Sequence, residues 1–235
     1  MHRNNLLLAS LSEGDVAAIQ PHLASVHLEH QKVLFEAGDP IRNAYFPEGA
    51  IISLVVGLST GEMVEAAMVG RDGVVGASSA LDGRISLSRA IVQISGDSLV
   101  CDVDALKGAA LQSHTFLSRL VRHEQTVYAQ AQQSAACMAT HDVEARLCRW
   151  LLRARDLSGD DVLLFTQEFL AEMLGVRRNS VTTVAHTLQR AGMIKYARGK
   201  IQVLDVEGLR ETTCECYETV NSHYQALLGH PANHL

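Results

Sequence analysis

No run of apolar residues in this 235-residue chain is long enough to cross a bilayer, and the longest near the start, residues 6–9, is too short for a signal-peptide core. A cytoplasmic protein with no membrane partner is therefore expected. Low-complexity tracts and acidic or basic tails are also missing, and 47% hydrophobic with 20% charged residues is a globular balance that excludes long disorder. Cysteines are few and odd in number. Cys101, Cys137, Cys148, Cys214 and Cys216 are scattered in a way that excludes a disulfide framework and predicts reduced thiols. Cys214 and Cys216 form a C-x-C pair, but two ligands do not close a tetrahedral zinc site. The sequence places no further Cys or His near them at finger-like spacing, so neither a metal nor a cofactor is expected. The histidines are dispersed as well, and each reads as a satisfied or solvated side chain.

The length suits two domains, each able to bury its own core. A net charge of −6 looks wrong for a nucleic-acid partner until its distribution is considered. From residue 173 to residue 204 there is no Asp or Glu, while Arg177, Arg178, Arg190, Lys195, Arg198 and Lys200 give that stretch a charge of +6. Such a patch is an electrostatic footprint for phosphate.

Ser12, followed by Glu13 and Asp15, marks a helix start, and Val16, Ile19 and Leu23 repeat at helical spacing. The pattern then changes to short β-rich runs at residues 33–35, 44–46, 51–56, 64–69, 90–94 and 99–103. Gly38-Asp39, Gly49, Thr60-Gly61, Gly70 to Gly73, Asp82-Gly83 and Gly96-Asp97 supply turns between them. Strands this evenly punctuated predict an antiparallel roll.

Residues 106–137 contain no Pro and a single Gly, so one long helix is expected. Leu117, Leu120, Val127, Ala131 and Ser134 approximate a heptad seam interrupted by Glu124, and Leu117, Leu120, Val127 and Ala131 are the expected homodimer contacts. The other reading is a helix lying on the roll. Thr140 or Asp142 can cap the helix that follows. The organisation expected is α+β: a β-roll over residues 1–110, a dimerisation helix over 111–138 and a winged helix-turn-helix over 139–235.

Thr166-Gln167-Glu168 opens a helix, Gly175 makes a turn, and residues 177–191 form a second helix with Val181, Val184 and Leu188 on one face. Two helices crossing sharply need a small residue at the contact, a turn residue tolerant of positive φ and an apolar peg. Ala171, Gly175 and Val181 supply these. Gly192 ends the second helix. A hairpin follows whose turn, Ala197-Arg198-Gly199-Lys200, carries a basic tip able to touch phosphate.

Gly175-Val176-Arg177-Arg178-Asn179-Ser180-Val181, the run Leu188 to Ile194 and the wing resemble the C-terminal half of the catabolite-activator/FNR-type (Crp/Fnr) regulators. Gly38-Asp39-Pro40, Tyr45-Phe46 and Gly70 to Gly76 are similar to that family's cyclic-nucleotide-binding-like roll. The resemblance implies a homodimeric regulator, not an enzyme, that reads a pseudo-palindromic promoter site on duplex DNA, with RNA polymerase as a possible partner. It implies DNA contacts at Thr166, Arg177, Arg178, Asn179, Thr182, Thr183, Arg198 and Lys200. Asn179 and Thr183 stand where many members carry Glu and Arg, so the target sequence should differ from the best-known operators.

The family's pocket grips ribose with a Gly-Glu-Leu turn and phosphate with an Arg-Ser or Arg-Thr pair. This chain has Gly76-Ala77-Ser78 and Ser88-Arg89 instead. On a strand, moving Arg by one position sends it to the opposite face, unless an insertion between Asp82 and Ser88 restores its aim. Gly76, Ala77, Ser78, Ser88 and Arg89 are the candidate effector residues, Arg84 reads more simply as a solvated loop arginine than as a further anion ligand, and the effector itself is unidentified. Two other function classes compete: a ligand-binding module whose winged helix contacts protein, and a hydrolase suggested by the elbow-like Gly76-Ala77-Ser78-Ser79-Ala80. Steeply salt-dependent binding of duplex DNA separates the regulator from both.

Overall fold

The structure is a computed structural model that describes residues 4–82 and 85–229. Gly83 of the expected turn and the candidate anion ligand Arg84 lie outside the described residues. Ser12 caps α2 (Glu13–Ile19) as expected, its hydroxyl accepting from the Asp15 amide at 3.2 Å. A shorter helix, α1 (Leu6–Ala9), precedes it. Asn5 caps α1 through the Leu8 amide while its own side-chain amide donates to the carbonyls of Pro47 and Gly73, which pins the N-terminus to the roll.

The roll is built from β1 (Ala24–Leu28), β2 (Val33–Phe35), β3 (Asn43–Pro47), β4 (Ile51–Gly57), β5 (Met63–Val69), β6 (Arg89–Ile94) and β7 (Gly96–Asp102). They pair antiparallel in two sheets, ordered β1-β7-β3 and β2-β6-β4-β5. Leu28, Phe35, Ile52, Val69, Ala90 and Val92 pack into one cluster from both sheets. The alternation of a strand then sends Arg89, Ile91 and Gln93 to the other face of β6.

Two helices replace the single one expected over residues 106–137. α3 (Val103–Leu111) stops at Gln112, and α4 (His114–Thr140) starts afresh because Ser113 leaves the helical conformation and its hydroxyl accepts from the Phe116 amide at 3.2 Å. Asp142, rather than Thr140, caps α5 (Val143–Ser158). β8 (Val162–Leu163), α6 (Gln167–Leu174), α7 (Arg178–Arg190), β9 (Ile194–Ala197), β10 (Lys200–Val203), α8 (Val206–Thr212) and α9 (Cys216–Leu228) complete the chain, with a small sheet ordered β8-β10-β9.

The two halves share a core. Ile51, Val55 and Met68 of the roll pack in one cluster with Trp150, Leu151, Leu174 and Val181 of the C-terminal half. Polar groups cross the same junction. Glu65 on β5 accepts from Trp150 Nε1 at 3.0 Å, from Ser53 Oγ at 2.5 Å and from Gln93 Nε2 at 3.1 Å. Asp72, fully buried, pairs with Arg153 of α5, whose guanidinium lies 4.6 Å from the centre of the Tyr224 ring on α9.

α4 lies on its own roll and along α9, burying Phe116, Leu120, His123, Thr126, Gln130, Ser134 and Cys137. Leu120 is 0% exposed, packed with Leu106, Phe116 and Phe46, so it is not on the surface that a second copy would meet. Val127 packs against the cluster between the sheets. The solvent-facing stripe is instead Val121, Gln125, Tyr128, Gln132, Ala135 and Ala139, which also repeats every three and four residues.

Candidate nucleic-acid interface

Thr166 stands at the N-cap of α6, its hydroxyl accepting from the Phe169 amide at 3.1 Å. Gly175 ends that helix in the left-handed conformation at φ +61°, and a Cβ added there would lie 3.1 Å from Val64 Cγ2. Both the conformation and the closeness of β5 favour glycine. Ala171 and Val181 are buried where the helices cross, as the spacing predicts. α7 then turns Val181, Ala185 and Leu188 inward and leaves Arg178, Asn179, Thr183, His186, Thr187 and Arg190 exposed.

Arg177 occupies the N-cap of α7 and supplies no side-chain cap, so the amides of the first turn have no such partner. Arg178 reaches Glu168 at 3.5 Å, but both side chains are well over half exposed. Such a pair is worth about 0–1 kcal/mol and yields readily to a phosphate or a base edge. Thr182 is placed differently from Asn179 and Thr183. It is half-buried, and its hydroxyl donates to Gln167 Oε1 at 2.8 Å, bracing α7 against α6. The face at positions 179, 183, 186 and 190 follows from the helical period; Arg190 entered the sequence expectation only through its charge, and His186 not at all.

The wing forms as expected. Arg198 and Gly199 both adopt positive φ, +50° and +75°, the arrangement of a type I′ hairpin turn. A Cβ at Gly199 would sit 3.6 Å from Thr166 Cγ2, so the basic tip lies beside the start of α6. Along one edge the wing turn that carries Arg198 and Lys200 lies beside Thr166, and Arg178 reaches Glu168 two residues further along α6. Behind that edge, a groove of about 770 Å³ separates Arg177 and Arg178 from the β4–β5 hairpin, where Glu62, Glu168 and Glu172 also line it.

The candidate effector residues do not converge. Ala77 is buried with Leu7, Phe46 and Leu106 beside a short 3-10 turn, Ala77–Leu81. Arg89 lies on the outer face of β6, its Nε donating to Glu36 at 2.7 Å and its Nη1 contacting Met63 Sδ at 3.0 Å. Ser88 is tied to Ser86 through its backbone. A pocket built jointly from these five residues is therefore corrected: parity on the strand takes the arginine away from the interior. A second correction concerns the cysteines. Tertiary packing carries Cys137 and His141 from the end of α4 to Cys214 and Cys216, a partnership that spacing alone did not reveal.

Residues 145–212 match the Crp-like helix-turn-helix domain family. The transcriptional regulator SdrP of Thermus thermophilus is 35% identical over 101 residues, which is 40% of this chain and 50% of that protein. The chain thus matches about half the length of this curated relative. FixK2 from Bradyrhizobium japonicum superposes with a TM-score of 0.70 at 15% identity, covering 82% of this chain and 98% of that one. A transcriptional regulator of the CRP/FNR family from Thermus thermophilus gives 0.65 at 24% identity, over 80% of this chain and 97% of its own.

Residues 145–212 thus form a Crp-like helix-turn-helix, and the chain shares its fold with solved Crp/Fnr regulators over about four fifths of its length. No helix among the described residues is long and apolar enough to cross a membrane.

Proposed function

We propose that this Crp/Fnr-type chain is a sequence-specific DNA-binding transcription regulator that works as a homodimer under control of a signal received at the roll. The observation that carries the reading is the exposed, acid-free outer face of α7, with Arg178, Asn179, Thr183, His186 and Arg190 in one row beside the Arg198–Lys200 wing tip. A helix entering the major groove reads base edges with that row, while wing and N-cap residues meet phosphate.

The proposed dimer uses the exposed stripe of α4, with Tyr128 at its centre and Ala135 and Ala139 allowing close helix approach. That places the two α7 helices for a two-fold-related site. Residues 4–111 then receive the signal, α4 joins the copies, and the segment from α5 onward binds DNA. Arg177 and Arg178 face the groove beneath the β4–β5 hairpin, so a change in the roll has a direct route to the recognition helix.

The test is fluorescence anisotropy with a selected duplex at several salt concentrations. Binding should fall steeply with salt. Arg178→Ala should cost about 1–3 kcal/mol at the selected site and relax preference at one position per half-site. Lys200→Ala should weaken all duplexes evenly and reduce the salt slope by about one. A salt-insensitive interaction, or none with any duplex, would remove the DNA reading.

A further inference from the structure

At the junction of α4, α5 and α9, four side chains from two distant parts of the chain converge. Sγ of Cys137, Cys214 and Cys216 and a ring nitrogen of His141 all lie within 4.8 Å of one another. Cys137 Sγ is 3.5 Å from Cys214 Sγ, and His141 Nδ1 is 3.5 Å from Cys216 Sγ. A tetrahedral zinc ion with Zn–S of about 2.3 Å and Zn–N of about 2.0 Å requires ligand-to-ligand edges of about 3.5–3.8 Å. These two separations thus match the edges of an MS₃N tetrahedron.

We propose that Cys137, His141, Cys214 and Cys216 bind one zinc ion through three thiolates and the Nδ1 of the histidine. Several independent features agree with the ligand geometry. His141 turns its other nitrogen, Nε2, to Glu215 at 3.3 Å. A carboxylate holding the far nitrogen of a ligating imidazole fixes its tautomer and orientation, the usual outer partner of a zinc-bound histidine. Gln133 Nε2 donates to Cys216 Sγ at 3.0 Å, as amides do to metal-bound thiolates. Three thiolates on one divalent ion leave a net charge of −1. Arg149 interacts electrostatically with Cys137, and Arg146 with both Cys137 and Cys214; each arginine has a buried Nε without a partner among the described residues. These cations oppose the excess charge. All three cysteines are buried, and His141, with about a quarter of its side chain exposed, forms the entry from solvent.

The fold explains how the four meet. Cys137 and His141 are one helical turn apart at the end of α4, and the His141 amide closes that turn on the Cys137 carbonyl. Cys214 and Cys216 flank the start of α9, which runs back along α4, and Thr213 donates to the Ala145 carbonyl of α5 at 3.3 Å. An ion at this point fastens the α8–α9 connection to the elbow between α4 and α5, the joint where the DNA-binding half leaves the roll. Four ligands with no open position suit a structural ion rather than a catalytic one.

The experiment uses the full chain purified under a non-thiol reductant. Elemental analysis should find one zinc per chain, and cobalt(II) added to chelator-stripped protein should develop the visible bands of tetrahedral thiolate coordination. Cys214→Ser and Cys216→Ser should abolish stoichiometric zinc, and Glu215→Gln should weaken affinity about tenfold. Cys148→Ser, which alters a buried thiol outside the cluster, should retain the full content. Circular dichroism and the cobalt titration of the unmutated chain keep the result independent of variants that fail to fold. No zinc and no cobalt spectrum in the reduced, folded chain overturns the site. Stoichiometric iron overturns the assignment to zinc. Equal metal loss from Cys148→Ser overturns the choice of ligands.

Discussion

Glu65 should make the stability of this chain depend on pH between about 4.5 and about 7, because burial pushes its carboxyl from 4.5 up to about 7 against the opposing help of Ser53, Arg149, Gln93 and Trp150. The folded state then holds a proton more tightly than the unfolded chain. Stability is therefore complete below pH 4.5 and is lost progressively as pH rises through about 7. At 1.36 kcal/mol per pK unit the full excursion is about 3 kcal/mol, and the residue is only 8% exposed, so solvent screens little of it. Glu65→Gln removes the titration and keeps an acceptor for the Trp150 indole. The new amide nitrogen faces Gln93 Nε2, so the Gln93 amide must turn over to present its Oε1, which is buried without a partner. Urea unfolding of both proteins from pH 5 to pH 8 should show the variant gaining about 3 kcal/mol relative to the parent. Trp150, the sole tryptophan, reports the site directly: its fluorescence should titrate with a midpoint of about 7 in the parent and not in the variant. A difference between the two proteins that stays constant with pH would refute the reasoning.

Tyr128→Asp should raise the dimer dissociation constant about a hundredfold or more, whereas Leu120→Ala should cost about 2–5 kcal/mol of chain stability without separating the copies. Sedimentation paired with thermal melts distinguishes these, and the reverse pattern would return the seam to Leu120. Asp72→Ala leaves Arg153 buried and unpaired and should cost about 3–5 kcal/mol, while the double change Asp72→Asn with Arg153→Met should recover most of that loss in urea unfolding. Cyclic AMP should bind at least two decades more weakly than a low-micromolar effector, because Ala77 replaces the ribose-binding carboxylate and Arg89 is engaged by Glu36. Calorimetric titration giving a low-micromolar constant would contradict this.

Much of the fold was legible wherever one residue acts on its immediate neighbours. Ser12, Asp142 and Thr166 cap helices through amides within three positions, and Gly175 and the Arg198-Gly199 pair need only a positive φ. β1 escaped detection because four of its five residues stay at least partly exposed, which removes the alternation that betrays a half-buried strand. The break between α3 and α4 carries no Gly or Pro. Ser113, three residues before Phe116, was the available signal. On α4 the buried stripe includes His123, Thr126, Gln130 and Ser134, so the inward face reads as polar, and Leu120 of the expected seam belongs to that face. The cysteine cluster showed only its halves, the C-x-C of Cys214 and Cys216 and the one-turn spacing of Cys137 and His141, because Cys137 and Cys214 are 77 positions apart.

The junction between the halves decides how a signal can travel. His123 on α4 accepts from the Val74 amide at 3.2 Å, and Asp72, two residues earlier, holds Arg153 on α5. The loop from Gly70 to Gly76 is therefore bound to both helices that lead to the DNA-binding half. A Cβ on Gly73 would fall 2.1 Å from His123 Nε2, so the loop has no room to slide along α4 without moving it. Rotation of α5 would strand a buried arginine and carboxylate at several kcal/mol each, whereas the exposed Arg178–Glu168 pair costs less than about 1 kcal/mol to break. Freeing the Arg178 side chain from α6 is consequently cheap, whereas moving α7 itself would break the Thr182–Gln167 bond and uncover Val181 and Leu188, and motion of α5 against the roll is expensive. On the proposed function, a regulatory change that reaches DNA must either act on side chains in the groove beside Arg177 and Arg178 or supply enough binding energy to repack the Asp72–Arg153 junction. The two routes differ in whether the Arg153–Tyr224 contact survives.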